Sequence, residues 1–373
     1  MTRREWLSLI ASAPLLNADT PPAPAAPVSI VPCASYDEDV TAKLTAMFAQ
    51  LGGLERLVRN KTVTIKLNLT GGPRNRLGGV APALTHWVHP KVIGATAYLM
   101  GRAGAKRIRI VESAGIASAA LEDGMQAAEW DVHALGAAAS GVEFENTNGL
   151  GKSKSYARFK VPGTAHMYPE YVLNRAYDET DVFVSMAKLK NHADCGVTLS
   201  IKNCFGNLPC SIYGGDAGVD EPNEGARQGR EAVGHLGRRQ PAKIAPPELH
   251  PGVSSEAGYR VSRIVADVVA ARPIHLAIID GVESMAGGEG PWIRGVRSVK
   301  PGVLLAGWNP VCTDAVATAV MGYNPVAMRG TAPFRNCDNT MLLAEQLGVG
   351  TTDLKRIEVR GVTIEQAMYR FEA

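Results

Sequence analysis

From Val28 onward, short apolar segments alternate with amphipathic ones, and this alternation limits the available folds more than any other feature. Segments 28–33, 62–69, 107–111, 142–145, 181–189, 275–279, 303–306 and 357–360 read as strands. Segments 37–57, 89–100, 261–271, 311–321 and 364–371 read as helices; in the first, Leu44, Met47, Phe48 and Leu51 recur at helical spacing. Strands that alternate with helices imply an α/β fold with a mostly parallel sheet and helices on both faces. Residues 156–161 read as extended and 172–177 as a short helix, whereas 198–203 fits either a helix start or a short strand. Residues 206–258 are rich in Gly, Pro and Arg and read as a long irregular insertion. Loops of that length inside a compact unit are usually functional or mobile.

Composition excludes several classes. The 373 residues are 46% hydrophobic and 20% charged, enough for a sizeable core without staples. A net charge of +3 with no basic stripe, and only 6% aromatic residues, argue against nucleic acid as a partner. The six cysteines include no Cys-x-x-Cys pair and read as buried apolar residues rather than a disulfide framework. At the N-terminus, Arg3-Arg4-Glu5-Trp6-Leu7 leads into an apolar run, 8–16, shorter than the roughly 20 residues a membrane-spanning helix needs. Paired arginines before a short apolar stretch resemble a twin-arginine export signal. The expectation is an export signal and Pro/Ala linker over 1–27 and a single α/β unit over 28–373. It places the mature protein in the periplasm, or otherwise outside the cytoplasm, without a transmembrane span. A frayed N-terminal helix is the alternative, and would leave the protein cytoplasmic.

In open α/β sheets, ligands bind outside the carboxyl ends of the strands. Four predicted strands end in chemically capable side chains. Lys66, Asn68 and Thr70 alternate with Ile65, Leu67 and Leu69 and so share one side. Glu112-Ser113 ends the third strand. Lys188, Lys190 and His192 share a side if that segment is extended, and Asp280-Gly281-Val282-Glu283 ends the strand at 275–279. Convergence of Lys66, Lys188, Lys190 and Lys202 would make a positive crevice suited to a carboxylate, phosphate or nucleotide. Glu112, Asp280, Glu283 and Asp314 would balance that charge or bind a divalent metal, with Glu112, Asp280 and Glu283 as the candidate ligands. The run Met285 to Trp292 contains Gly287, Gly288 and Gly290, which would let backbone amides approach an anion. It matches neither a dinucleotide fingerprint nor a P-loop. His86 with His89, and His192 with Cys195, have spacings that could hold a metal. Cys195, Cys204 and Cys210 match no ferredoxin spacing, so an iron–sulfur cluster is not expected. Hydrolase and kinase signatures are missing.

Several blocks together resemble one family. They are Lys66-Leu67-Asn68-Leu69, His89 to Ile93, Ala103-Gly104-Ala105, Ser185 to His192, Gly196 to Gly206, Asp280-Gly281 with Gly287 to Pro291, Asn309-Pro310, and Asp314 to Ala317. Spread over about 62–325, they are similar to the domain-of-unknown-function 362 group. Leucine stands at 67 where the family has proline, and Asn309 stands where aspartate is usual. Some members carry a fused ferredoxin-type module, which implies a redox partner, but no such module stands in these 373 residues.

The resulting expectation is an exported enzyme that acts on a small anionic organic molecule with a metal or bound cofactor. Lys188, Lys190 and His192 are its catalytic candidates. Lys66, Asn68, Lys202, Asn203, Gly288 and Gly290 are its substrate-binding candidates. A periplasmic ligand- or cofactor-binding module, or an accessory partner of a redox protein, is the alternative.

Overall fold

The computed structural model describes residues 22–113 and 119–372, so nearly all of the expected export signal lies outside the described residues. Eight strands form the central sheet: β1 (Val28–Pro32), β2 (Thr62–Lys66), β3 (Arg107–Glu112), β4 (Val142–Asn146), β7 (Val182–Lys188), β10 (Leu276–Gly281), β13 (Val303–Gly307) and β14 (Val359–Gly361). Three two-stranded ribbons supply the rest: β5 (Tyr156–Lys160) with β6 (Glu170–Asn174), β8 (Asn191–His192) with β9 (Gly196–Val197), and β11 (Ser284–Ala286) with β12 (Arg297–Val299). The sheet order is β14-β1-β13-β10-β7-β2-β3-β4. Only β13 runs against its neighbours, pairing antiparallel with β1 and β10. The α/β expectation holds.

Both faces are covered, as a mostly parallel sheet requires. Helices α1 (Val40–Gln50), α2 (Glu55–Val58), α3 (Pro90–Arg102), α4 (Leu121–Ala127) and α5 (Val132–Gly136) contribute to one apolar cluster. Helices α6 (Leu199–Asn203), α7 (Cys210–Tyr213), α8 (Ala257–Ala271), α9 (Pro310–Val320), α10 (Thr340–Gln346) and α11 (Ile364–Ala367) contribute to the other. The two-residue period of each strand divides its side chains between the clusters. Val182, Val184 and Met186 of β7 join Val63 and Ile65 of β2 in the first, while Phe183 and Ala187 join the second. No helix among the described residues is long and apolar enough to cross a membrane.

Two segments differ from the sequence expectation, and one that it left open is settled. The helix expected over 37–57 is two helices. Asp39 caps α1 by accepting the Ala42 N–H, and Gly52 and Gly53, at φ 95° and 85°, break the chain before α2. Residues 172–177 form no α-helix; the first three lie in β6, whose backbone pairs with β5, and Arg175–Tyr177 makes one 3₁₀ turn. Long-range pairing overrides a local preference there. Residues 198–203 settle as helix, because Asp314 of α9 accepts the N–H groups of Ser200 and Ile201 at 2.9 Å each. That carboxylate supplies the cap that the short helix lacks in its own sequence.

Candidate functional site

A cavity of about 330 Å³ opens beyond the carboxyl ends of β2 and β3, the place where α/β sheets hold ligands. Its lining includes Lys66, Asn68, Glu112, Lys202, Asn203 and His192, six residues singled out from the sequence. Ser113, Asp194, Phe205, Arg230, His235, Glu289 and Trp292 complete the polar and aromatic wall.

The floor is a closed ion pair. Lys66 Nζ lies 2.7 Å from Glu112 Oε1 and donates to Leu67 O and to Asn203 Oδ1 at 3.0 Å. Glu112 also accepts the N–H groups of Leu69 and Ser113. Gly206 lies directly on this pair; a Cβ there would stand 2.7 Å from Lys66 Nζ, so only glycine fits without displacement. Asn203 donates to Ser185 Oγ at 3.0 Å and so fixes α6 against the ends of β2 and β7. Lys66 and Asn203 are therefore consumed in building the floor.

Lys202, one position earlier on α6, is different. It is half-buried, and among the described residues no carboxylate or carbonyl lies within bonding distance of its Nζ. Its one close partner is the Phe205 ring, 4.9 Å from Nζ to centroid. Burial holds its pKa below the ordinary lysine value. His192 stands near it. The Asp194 N–H donates to His192 Nδ1 at 3.1 Å, which places the proton of the neutral ring on Nε2. Burial, aided by the charges of Lys202 and Lys190, pushes the His192 pKa well below 6.5, so the ring is neutral at neutral pH. Glu289 Oε2 is 3.7 Å from Nδ1 but accepts the Ala193 N–H, while its Oε1 accepts the Trp292 indole N–H at 3.1 Å. His235 is held at about 4 by burial and by Lys202, so its approach to Asp194 at 3.8 Å is not an ion pair at neutral pH. Asn68 Oδ1 is buried with no hydrogen-bond partner among the described residues.

The roof comes from the irregular insertion. Arg230 reaches down to donate to Ser113 Oγ at 2.6 Å and Asn148 Oδ1 at 2.8 Å, and no carboxylate among the described residues pairs with it. Next to it, Glu231–His235 makes a single π-helical turn, a local irregularity frequent at functional sites. Arg260 of α8 ties this roof down. Its guanidinium forks onto Glu248 at 2.6 and 2.8 Å and donates to Val233 O at 3.0 Å, all within a buried interior. Arg230 and His235 were missed from the sequence, where the only signal was the length of the insertion.

The other sequence candidates lie elsewhere. Lys188 follows Val184 and Met186 onto the α3 side of the sheet, whereas Lys66 points to the α6 side. Lys188 Nζ lies 3.0 Å from Asp280 Oδ2 and donates to Tyr36 Oη at 2.8 Å and Ala83 O at 3.0 Å, with both charged side chains fully buried. Tyr36 Oη in turn donates to Asp280 Oδ1 at 2.7 Å. Lys190 Nζ donates to two backbone carbonyls, His86 O and Glu289 O. Because β7 ends at Lys188, the period-two alternation does not carry through to His192. Gly288 and Gly290 do not line the cavity; Gly290 instead leaves room for the Trp292 ring.

The expected metal ligands do not gather. Glu112 is held by Lys66, Asp280 by Lys188, and Glu283 by Lys300 at 3.2 Å. No group of three or more His, Cys, Asp or Glu side chains among the described residues is placed to hold a metal ion. His89 stacks on Tyr36 at 3.7 Å between ring centroids and caps α3, while His86 bonds Thr85. Burial pushes the Cys195 and Cys204 thiols up to about 12.

No curated protein matches the chain. A family model does match it, over residues 63–319, well over half its length and across every strand that carries the cavity. The chain therefore belongs to the family described as Domain of unknown function (DUF362).

Proposed function

We propose that the chain is an enzyme acting on a small anionic organic molecule bound in this cavity. Lys202 would anchor the anionic group, Arg230 would assist from the roof, and His192 would move a proton through Nε2. One observation carries the reading: Lys202 presents an ammonium group to the cavity with no acceptor in reach, while Lys66 and Lys188 each have three acceptors and Lys190 has two. A cation kept half out of water without a partner is costly, and an incoming anion would remove that cost. The same anion would raise the His192 pKa toward the range useful for proton transfer. Lys188 and Lys190 drop out of the catalytic set, and no step is assigned to a metal.

Calorimetric titration with acetate and inorganic phosphate, followed by a panel of organic carboxylates and phosphates, tests the reading. At least one should bind, and Lys202→Met should weaken it about tenfold or more. His192→Gln should retain binding but end turnover of any panel member that the wild type converts. Equal binding by Lys202→Met would discard the site, and binding without turnover would make the protein a carrier. We also propose export by the twin-arginine route. Changing Arg3 and Arg4 to lysine should retain the protein in the cytoplasmic fraction; unchanged fractionation would remove that reading.

A further inference from the structure

Trp292 is nearly half exposed, at 46%, yet it is not loosely placed. Its indole N–H is held by Glu289 at 3.1 Å. Its ring lies over two glycines: a Cβ on Gly71 would come within 2.5 Å of it, and one on Gly290 would collide outright. Its edge meets the buried His86 ring, with centroids 5.8 Å apart at 88°. An exposed aromatic ring fixed by a hydrogen bond, two side-chain-free seats and a ring contact is a built surface rather than a chance exposure. One seat is local, since Gly290 belongs to the glycine-rich run 285–292; the other, Gly71, follows β2 and is brought to the ring by the fold.

The ring also lines the same cavity as Lys202 and His192. One carboxylate, Glu289, lies between them: Oε1 takes the indole N–H, and Oε2, which accepts the Ala193 N–H, stands 3.7 Å from the unprotonated His192 Nδ1. The chamber that would hold an anion at Lys202 and His192 is therefore also walled by the indole. Phe205, beneath Lys202, adds a second ring to that wall.

We infer that Trp292 is a specificity-determining platform and that the molecule bound here carries a flat ring system attached to its anionic group. This rests on the anion site proposed above. Acetate against benzoate, and methyl phosphate against phenyl phosphate, are the matched probes, with affinity measured by calorimetry on the full chain. The wild type should bind the ring-bearing member of a pair about tenfold more tightly. Trp292→Ala should abolish that preference, and Trp292→Phe should restore most of it, with unfolding midpoints recorded to confirm that both variants fold. Equal affinity within each pair, or a preference that survives in Trp292→Ala, would overturn the platform. Those results would leave the anion site standing, provided Lys202→Met still weakens all the probes. Failure of Lys202→Met to weaken any of them would instead overturn the anion site on which the platform rests.

Discussion

Two lysine clusters occupy the carboxyl end of the same sheet, on opposite faces, and their chemistry differs. On the α3 side, Lys188 is locked to Asp280, Tyr36 and Ala83 with nothing left to offer a ligand. On the α6 side, Lys66 is equally locked to Glu112, but Lys202 beside it is not. A lysine near a strand end can thus be either a strut or a receptor. The identity of the residue does not decide which; the count of acceptors around its nitrogen does. A strut loses stability when its partner is removed, and a receptor loses affinity.

Asp280→Ala should show the largest effect on stability. It strands the Lys188 ammonium in a site with no exposure, and should cost about 3–5 kcal/mol in urea unfolding. A cost below about 1 kcal/mol would remove the distinction between the faces. Glu248→Ala should cost somewhat less, about 3 kcal/mol, by leaving Arg260 half-satisfied through Val233 and Ser254 carbonyls. It should also weaken anion binding, because the roof that carries Arg230 and His235 is released; intact affinity in this variant would separate roof from site.

Acid should act on both faces, through His86 and His89 on the α3 side, which burial holds at about 3 and 4, and through His235 on the receptor side. The folded His235 pKa is depressed to about 4 from 6.5, so its contribution to stability is complete above pH 6.5. Below that the unfolded chain takes up a proton that the folded chain refuses, and stability falls until about pH 4. His235→Gln should flatten this portion of the profile by up to about 3 kcal/mol. An unchanged slope between those limits would mean the ring is protonated in the folded state. Lys202→Met should have the smallest effect on folding, within about 0.5 kcal/mol, despite its expected loss of anion affinity. A large destabilisation would make Lys202 another strut.

The sheet was legible because β7, β10 and β13 carry apolar runs, β2, β3 and β4 alternate apolar with polar residues, and the longer helices carry a 3.6-residue period. The strand at 172–174 was not, because what makes it a strand is β5 at the far end of the loop 161–169, which no local pattern encodes. The site was legible in part. Lys66, Asn68, Glu112, His192, Lys202 and Asn203 share one cavity, as their places after strands and in the 196–206 block suggested. Lys188 and Asp280 sit at equally suggestive places, but period-two alternation turns them to the other face, and the relative register of β2 and β7 is not written in either strand. Arg230 and His235 escaped notice because their segment lacks any periodicity, and only the fold brings it back over the cavity.

The pairing of Lys66 with Ser185 across β2 and β7 has one more consequence. Deleting a single residue within β7 would rotate every following side chain by half a turn about the strand. Lys188 would then take the place of Ala187 in the apolar layer on the α6 side, and Leu189 would stand opposite Asp280, leaving that acid without its lysine. Insertions and deletions in this strand should therefore be far less tolerated than substitutions, and relatives that keep this chamber should keep the strand's length.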